Sequence, residues 1–228
     1  MPIPKLKDIT WVTVDCYGTL IDWEKGIAEA FNKEASKDGF SFDDEQLVSR
    51  FLEVQAEVMS GSYELYAEVL RRTAVRVARE IGWELEPSRA QFVPDSVARW
   101  LPFRESNAAM DRLGKRYEVG IVSNIDDKLL GISRRHLRTE LDLVVTAQQV
   151  RSYKPDPAHF KEAARRIGGK KGWLHICSGY ASDVEPLLKM NVPVIWVNRH
   201  GEKLAGRKKP SAEVKTFRDA AKKLGAGS

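Results

Sequence analysis

The sequence is poor in cysteine and has no long hydrophobic run, and both shortages restrict the kind of protein it can be. Its two cysteines, Cys16 and Cys177, are too few for a disulfide framework, so we expect a protein of the reducing cytoplasm. No apolar stretch is long enough to cross a bilayer, and residues 1–10 lack the apolar core of a signal peptide. We therefore expect neither a membrane protein nor a disulfide-stabilised secreted one.

Signals for metal and nucleic-acid binding are also missing. The four histidines include no pair with metal-ligand spacing, and we expect His136, His159 and His200 at the surface and His175 within a strand. The net charge of +5 is modest, and the basic residues near the C-terminus have no aromatic residues between them. We therefore expect no bound metal and no nucleic-acid partner. A solvated surface or an anionic small substrate fits the charge balance equally well.

The most informative stretch lies near the start of the 228-residue chain, where an apolar run meets an acid. Residues 10–15 are typical of a buried strand that ends at Asp15, and Gly18 and Thr19 suit a tight turn after it. A carboxylate at the end of a buried strand is costly to desolvate, so it needs partners and usually has a chemical role. This stretch alone leaves two interpretations open, a functional acid or an Asp that only caps the turn.

A helical segment follows this first strand. Asp22 is placed to cap a helix, and apolar residues recur at helical spacing from residue 43 to about residue 82. The stretch Val93-Pro94-Asp95 is typical of a connection back to the rest of the chain. We therefore predict a helical insert within a larger domain. The predicted boundaries are 22–95 for the insert and 1–21 with 96–228 for the larger domain.

After Pro102 the pattern changes to strands that alternate with helices. Further strands are predicted at residues 117–122, 141–146, 173–177 and 194–197, and a helix at about 212–224 closes the chain. Apolar strands in this alternation indicate a parallel sheet in a three-layer α/β domain. Ligands of such sheets bind at the carboxyl ends of the strands. The polar residues at these ends are Asp15, Ser123, Asn124, Lys154 and the loop 178–183.

These strand ends resemble the four motifs of the haloacid dehalogenase superfamily of hydrolases. The motifs are Asp15-Cys16-Tyr17-Gly18-Thr19-Leu20, Ser123-Asn124, Lys154-Pro155-Asp156-Pro157 and Asp183. They occur in the family's order over nearly the whole chain, and the combination is far more specific than any one motif. The resemblance implies a Rossmann-like α/β/α core with a parallel sheet and a small α-helical cap inserted after the first strand.

Two missing acids make the chain resemble the L-2-haloacid dehalogenases more than the phosphatases of the superfamily. Those phosphatases carry a second acid two places after the nucleophile and another five places before the last Asp, where this chain has Tyr17 and Ser178. A site with fewer acids suits Mg²⁺ poorly, and a halide leaves without a proton from a general acid. The stretch 193–199, which ends at Arg199, also resembles the dehalogenase branch. We therefore expect no cofactor, with Mg²⁺ needed only if the chain is a phosphatase.

The resemblance implies a covalent mechanism that begins at Asp15. Its carboxylate would attack C2 of a 2-haloacid, expel halide and form an ester, which water would hydrolyse to a 2-hydroxy acid. Lys154 would hold Asp15 ionised, and Asp183 would orient Lys154 or activate the water. The resemblance also implies that Thr19 donates a hydrogen bond to Asp15 and that Ser178 positions the water. Ser123 and the N–H groups of Cys16 and Tyr17 would bind the substrate carboxylate. Asn124 would contribute to the halide site, the Tyr17 side chain would line the pocket, and Tyr180 would contact the substrate.

Departures from the family pattern leave the substrate open. The cap arginine that receives the halide in the family has no counterpart, because Leu52 or Glu53 stands at its place and Arg50 is offset. A different leaving group, a magnesium-dependent phosphatase and a binding protein that kept the fold are therefore alternatives. Relatives of the dehalogenase type are often homodimers, so a homodimer is possible. The remaining replacements are Tyr180 for an expected Asn, Ser182 for an aromatic residue and Phe160 for a Tyr.

Overall fold

The structure is a computed structural model, and it describes residues 1–204 and 208–227. Contacts between Cα atoms divide the chain into two compact units. The core unit comprises Met1–Ile21, Pro102–Asn124 and His136–Ser228, and the helical unit comprises Asp22–Leu101 and Ile125–Arg135. Among the described residues, no helix combines the length and the apolar character that crossing a membrane requires.

Strands and helices alternate along the core unit, as the sequence predicts. The strands are β1 (Trp11–Val14), β2 (Glu118–Ser123), β3 (Leu143–Thr146), β4 (Trp173–Cys177), β5 (Val194–Val197) and β6 (Ala212–Val214). The α-helices are α1 (Trp23–Ala35), α2 (Asp44–Met59), α3 (Tyr66–Glu80), α4 (Phe92–Ser96), α5 (Ser106–Gly114), α6 (Asp127–Ser133), α7 (Ala147–Val150), α8 (Ala158–Arg166), α9 (Glu185–Lys189) and α10 (Phe217–Lys223). A π-helix covers Tyr180–Val184, and short 3₁₀ helices cover Leu6–Asp8, Ser36–Asp38, Pro87–Gln91, Val97–Arg99 and Arg134–His136.

The core unit is built on a parallel sheet that, within the described ranges, has six strands in the order β3-β2-β1-β4-β5-β6. Val14 of β1 pairs with Ile121 on one side and with Ile176 on the other, so the carboxyl ends of β1, β2 and β4 lie close together. Phe160 of α8 and Leu187 of α9 belong to the hydrophobic cluster on one face of the sheet. The helices α5 and α10 pack against each other and against the sheet. The predicted three-layer α/β class is confirmed.

The end of the chain differs from the predicted single helix at residues 212–224. Ala212–Val214 forms the edge strand β6 instead, and only then does α10 begin, with Thr216 as its N-cap. Ser211 attaches this strand to β5, because its N–H donates to the Val194 carbonyl at 2.8 Å and its hydroxyl accepts the Val194 N–H at 3.0 Å. The prediction was wrong because a three-residue edge strand has too little periodicity to be distinguished from the first turn of a helix.

The helical unit packs around Phe31 of α1. Asp22 caps this helix as predicted, because its carboxylate accepts the N–H of Lys25 at 3.2 Å. Phe31 is fully buried and meets Phe51 and Phe92 edge to face, with ring centroids 5.9 and 5.1 Å apart. Aromatic pairs in this geometry add about 0.5–1.5 kcal/mol each to the free energy of burial. The predicted helical segment therefore has a hydrophobic core of its own.

The helical unit continues past residue 95, where the prediction ended it. Val93-Pro94-Asp95 lie inside α4 instead of a connection, since proline is compatible with the first turn of a helix. Trp100 then packs on Gly26 of α1, and a Cβ at Gly26 would lie 2.2 Å from the indole ring. Only glycine fits there. This close approach explains why the unit extends to Leu101.

Residues 125–135 also belong to the helical unit, although they follow β2 in the sequence. The carboxylate of Asp126 accepts the N–H groups of Tyr66 and Ala67 at 2.7 and 2.8 Å. These two N–H groups lie at the first turn of α3, where backbone donors have no partner within the helix. A negative charge at this end is also favoured by the helix dipole. Asp126 therefore joins α6 to α3 by a contact that spacing along the chain does not reveal.

Candidate active site

One buried lysine joins two buried carboxylates at the carboxyl edge of the sheet. The ammonium of Lys154 lies 2.8 Å from Oδ1 of Asp15 and 2.6 Å from Oδ1 of Asp183, and it donates to the carbonyl of Val122 at 3.1 Å. The side chain of Lys154 is only 2% exposed. A buried charge is tolerated only when it is paired and hydrogen-bonded, and these contacts meet both conditions.

Asn124 holds the backbone of Lys154 in place. Its Oδ1 accepts the Lys154 N–H at 2.7 Å, and its Nδ2 donates to the Lys154 carbonyl at 3.2 Å. The side chain predicted to cradle a halide is thus engaged at both ends of its amide. Asn124 follows β2 directly, so this contact fixes the loop that carries Lys154 against the edge of the sheet. These contacts give Asn124 a positioning role, and its predicted contact with the leaving group stays a prediction.

Thr19 connects Asp15 to the loop after β4. Its hydroxyl donates to Oδ2 of Asp15 at 3.0 Å, and its Oγ1 accepts the N–H of Ser178 at 2.8 Å. The hydroxyl of Ser178 lies 3.2 Å from the same oxygen. Gly18, which lies between Asp15 and Thr19 in the sequence, has φ +85°, a conformation that glycine adopts without steric cost. Asp15 therefore has one oxygen on Lys154 and the other on Thr19.

The charges of the three residues depend on one another. Burial raises the pKa of Asp15 above its ordinary value, and the ammonium of Lys154 limits this rise. Burial acts in the same direction on Asp183, but Lys154 and His175 outweigh it and hold the pKa of Asp183 well below its usual range. Burial would lower the pKa of Lys154, yet the two carboxylates keep it well above its usual value. Asp15 is therefore the acid whose negative charge is the less strongly stabilised.

Asp183 accepts hydrogen bonds on both of its oxygens. His175 Nε2 lies 3.3 Å from Oδ1, and the hydroxyl of Ser182 donates to Oδ2 at 2.6 Å. Gly179 makes room for this arrangement, because a Cβ there would lie 2.1 Å from the Ser182 hydroxyl oxygen and 3.0 Å from Oδ2. The contact with Lys154 completes the set. These contacts fix the direction of the Asp183 carboxylate. His175 is therefore part of the site, although the sequence analysis predicted only that it lies within a strand.

Arg199 stabilises the turn after Asp15 by hydrogen bonds to its backbone. It donates from Nε to the Gly18 carbonyl at 3.1 Å and from Nη2 to the Thr19 carbonyl at 2.8 Å. Its Nη1 donates to Glu105 at 2.8 Å, and its guanidinium lies 3.6 Å from the ring centre of Phe103. A planar guanidinium can bind several oxygens in this way, which lysine cannot do. Arg199 was predicted only as part of a stretch typical of the family.

Four other predicted residues are wholly or partly buried. Cys16 is buried beside Asp15, Ser123 is buried at the end of β2, and Tyr17 is half-buried. Burial raises the pKa of the Cys16 thiol, which agrees with the prediction of a small core residue. Tyr180 was predicted to contact substrate, but its ring packs on Trp196 in the hydrophobic cluster and its hydroxyl donates to the Lys208 carbonyl at 2.7 Å.

His159 was predicted at the surface, and this prediction was wrong. It lies in the first turn of α8 with no exposed surface, because this turn faces the sheet together with Phe160. Burial lowers the pKa of His159 to about 4, and the charge of Lys154 acts in the same direction. The imidazole is therefore neutral at physiological pH.

The site brings together side chains of the kinds that can bind metal ions. Within the described residues, the grouping of acids, histidines and cysteines compact enough to share an ion is His175, Cys177 and Asp183, all buried. Burial raises the pKa of the Cys177 thiol, so it does not supply a thiolate. Oδ1 of Asp183 and Oδ1 of Asp15 both face the ammonium of Lys154. Mg²⁺ prefers several oxygen ligands. This edge of the sheet has the carboxylates of Asp15 and Asp183, and it has a hydroxyl at Ser178.

The fold and the four strand ends define a hydrolase of the haloacid dehalogenase class. The haloacid dehalogenase-like hydrolase family matches residues 9–175, which is most of the chain. The chain belongs to this family. The match starts just before β1 and includes Asp15, Asn124 and Lys154, so it covers three of the four motifs found in the sequence.

Within this family, the chain is similar to proteins described as haloacid dehalogenases. It is 24% identical over 199 residues to the (S)-2-haloacid dehalogenase of Pseudomonas sp. (strain YL), covering 85% of this chain and 84% of that one. The crystal structure of the L-2-haloacid dehalogenase RSc1362 superposes with a TM-score of 0.85 at 22% identity, covering 96% and 99%. An L-2-haloacid dehalogenase from Xanthobacter autotrophicus, solved with chloropropionic acid covalently bound, gives 0.81 at 17% identity, covering 94% and 97%. At these identities the structures establish the fold alone.

Proposed function

We propose that this chain is a hydrolytic dehalogenase that converts 2-haloacids to 2-hydroxy acids through an ester on Asp15. The observation that carries the proposal is the ammonium of Lys154, which lies 2.8 Å from Asp15 and 2.6 Å from Asp183 in a buried site. A carboxylate beside a buried cation is favoured in its ionised form and can act as a nucleophile. Thr19 orients it by a hydrogen bond to its second oxygen.

The balance of charge in the site favours formation of the ester. Two carboxylates face one ammonium, so the resting group carries one excess negative charge in a buried place. When Asp15 bonds to C2 of the substrate and the halide departs, Asp15 becomes neutral. The remaining pair of Lys154 and Asp183 is then balanced. The site therefore loses an unfavourable charge in the step that breaks the carbon–halogen bond. Because Asp15 attacks C2 from the side opposite the halide, the configuration at C2 is inverted.

Hydrolysis of the ester uses the same three residues. Water adds to the carboxyl carbon of Asp15, and the bond between that carbon and the ester oxygen breaks. The 2-hydroxy acid leaves, the carboxylate of Asp15 is restored with one new oxygen, and one proton is released. Lys154 stabilises the negative charge that develops on the carboxyl oxygen, and Asp183 orients the attacking water, whose proton passes to solvent. Ser178 lies close enough to Thr19 to help hold the water beside the ester.

The leaving group we propose is a halide, because the site lacks an acid that would protonate an alcohol. Tyr17 stands where the phosphatases of the superfamily have that acid, and Ser178 stands where they have a further carboxylate. A halide departs without a proton, so neither acid is needed. We also propose that the reaction needs no metal, since Lys154 supplies a cation to both carboxylates and bonding of Asp15 to carbon removes the remaining negative charge.

The substrate carboxylate needs hydrogen-bond donors because the resting site is already negative. We assign this role to the hydroxyl of Ser123 and to the N–H groups of Cys16 and Tyr17. The pairing of β1 with β2 supports the assignment: Val14 faces Ile121, so the register continued by two residues puts Cys16 level with Ser123. The half-buried ring of Tyr17 would form a wall of the pocket.

The test is halide release from each enantiomer of 2-chloropropionate, with and without EDTA. We expect release from the (S) enantiomer, which agrees with the specificity named for the curated relatives, and no effect of EDTA. Asp15→Asn should abolish release, whereas Asp95→Asn, at an exposed acid of α4, should leave it unchanged. Absence of release from any short 2-haloacid would reject the substrate assignment. EDTA-sensitive hydrolysis of a phosphate ester would favour the magnesium-dependent phosphatase instead.

The ester itself is tested by turnover in H₂¹⁸O. After several turnovers, mass spectrometry of the peptide that contains Asp15 should show incorporated ¹⁸O, because water adds to the Asp15 carboxyl carbon. Label found only in the product would show that water displaces the halide directly, and it would reject the ester. A homodimer and a cytoplasmic location, both expected from the sequence, stay predictions.

A further inference from the structure

A line of buried polar groups runs through the sheet and ends at Asp183. The indole N–H of Trp173 donates to Oγ1 of Thr13 at 2.7 Å, and the same Oγ1 lies 2.7 Å from Nδ1 of His175. Nε2 of His175 lies 3.3 Å from Oδ1 of Asp183. Thr13 and His175 are directly paired across β1 and β4, and all four residues are at most 1% exposed. Such groups are costly inside a sheet unless each is hydrogen-bonded.

The donors and acceptors along this line determine which ring nitrogen of His175 carries the proton. An indole N–H can only donate, so it uses a lone pair of the Thr13 hydroxyl oxygen. The Thr13 oxygen has a second lone pair, so this contact alone does not assign Nδ1. Asp183 does, because a carboxylate paired with Lys154 only accepts, so Nε2 must donate to it and Nδ1 is left to accept the Thr13 hydroxyl. In a neutral imidazole the proton is therefore on Nε2, and Nε2 donates to Asp183.

We infer that His175 is a positioning residue for Asp183, with its proton on Nε2 toward that carboxylate and its Nδ1 toward Thr13. This inference rests on the proposed function. His175 and Lys154 both bind Oδ1 of Asp183, so two donors from different strands and loops fix the direction of this carboxylate. Asp183 acts in our mechanism when water attacks the ester. His175 should therefore affect hydrolysis of the ester more than its formation.

A comparison of matched variants separates positioning from packing. His175→Leu removes the donor, and His175→Gln returns an N–H group near the place of Nε2. Thr13→Val removes the hydroxyl that faces Nδ1 and keeps the side-chain shape. Phe160→Leu is the packing control, because the ring of Phe160 lies edge-on to His175 at 5.8 Å without a hydrogen bond.

The kinetic readout is intact-protein mass spectrometry of samples quenched during turnover of (S)-2-chloropropionate. His175→Leu should slow ester hydrolysis by about 10- to 100-fold, the range found for outer partners of metal-binding residues, and change ester formation by less than about threefold. The ester should then accumulate on the variant. His175→Gln should recover part of the loss, and Phe160→Leu should not accumulate ester. Equal slowing of both steps, or equal losses in the Leu and Gln variants, would overturn the inference.

A second readout does not depend on activity. In the full chain labelled with ¹⁵N-histidine, NMR should show His175 protonated at Nε2 and unprotonated at Nδ1, and Thr13→Val should shift the Nδ1 signal. A proton on Nδ1 in the unaltered protein would overturn the inference even if the enzyme is active. An unaltered protein that has the expected tautomer and forms no ester would instead reject the proposed function and leave the structural part of the inference standing.

Discussion

Replacement of Lys154 by methionine tests the central ion-pair arrangement. Methionine keeps an unbranched side chain of similar length but removes the ammonium that faces Asp15 and Asp183. Two carboxylates then share a buried site with no cation between them. Removing one partner of a buried ion pair typically costs about 3–5 kcal/mol of stability. Because whole domains are stable by only about 5–15 kcal/mol, we expect Lys154→Met to fold with little stability left at neutral pH.

The sign of the pH dependence distinguishes this explanation from a simple packing defect. Without the ammonium, burial raises the pKa of both Asp15 and Asp183 above their unfolded values of about 4. Between the unfolded and folded pKa values the native state binds more protons than the unfolded state, so stability falls as pH rises. The slope is about 1.4 kcal/mol per pH unit for each extra proton. The stability deficit of the variant should therefore shrink as pH falls from 8 to 5.

Urea unfolding followed by tryptophan fluorescence measures this deficit, since the chain has six tryptophans. Unaltered protein and Lys154→Met are compared at each pH, and Lys161→Met, at an exposed lysine of α8, is the matched control. The control should lose less than about 0.5 kcal/mol at every pH. A deficit for Lys154→Met below about 1 kcal/mol, or one that does not change with pH, would refute the electrostatic explanation of the site.

Three other substitutions test separate parts of the structure. Burial lowers the pKa of His159 to about 4, so as pH falls the unfolded state binds a proton before the native state does. The free energy of unfolding should therefore fall by about 3 kcal/mol between pH 6.5 and 4. In urea titrations, His159→Phe should not show this contribution to the decline. Arg199→Lys should lower kcat for halide release about tenfold, because lysine cannot bind two carbonyls and an acid at once. Gly179→Ala should reduce kcat on the order of tenfold by displacing Ser182 and Asp183. Adding Ser182→Ala removes the hydroxyl that the new methyl group would meet, so it should restore part of the lost kcat. No restoration would show that the alanine disturbs the backbone instead of the Ser182 hydroxyl.

Polar residues at strand ends were the predictable part of the site. Asp15, Lys154 and Asp183 are far apart in the sequence, but a parallel sheet brings the carboxyl ends of its strands to one edge. The alternation of strands and helices was enough to recognise that sheet, and the strands at 173–177 and 194–197 have the predicted bounds. The features of the site that depend on topology alone could therefore be derived from the sequence.

Contacts that depend on side-chain direction could not be derived in this way. An Asn after a strand predicts a polar contact, but nothing in the spacing shows that Asn124 binds the backbone of Lys154 thirty residues later. His159 stands one place before the apolar Phe160, and a helix of only nine residues leaves its buried face ambiguous. The pairing of Thr13 with His175 requires the register of β1 against β4, which the sequence does not state. These residues needed the structure.

The shared cation explains why the two missing acids matter for function. If position 17 or 178 carried a carboxylate, this edge of the sheet would hold three acids and one lysine, and the excess negative charge would favour a divalent cation. With Tyr17 and Ser178 in place, two acids face one ammonium, and bonding of Asp15 to carbon removes the single unbalanced charge. We propose from this count of charges that the covalent step at Asp15 proceeds without a divalent cation. The proposed dehalogenase activity depends on this count more than on any single motif.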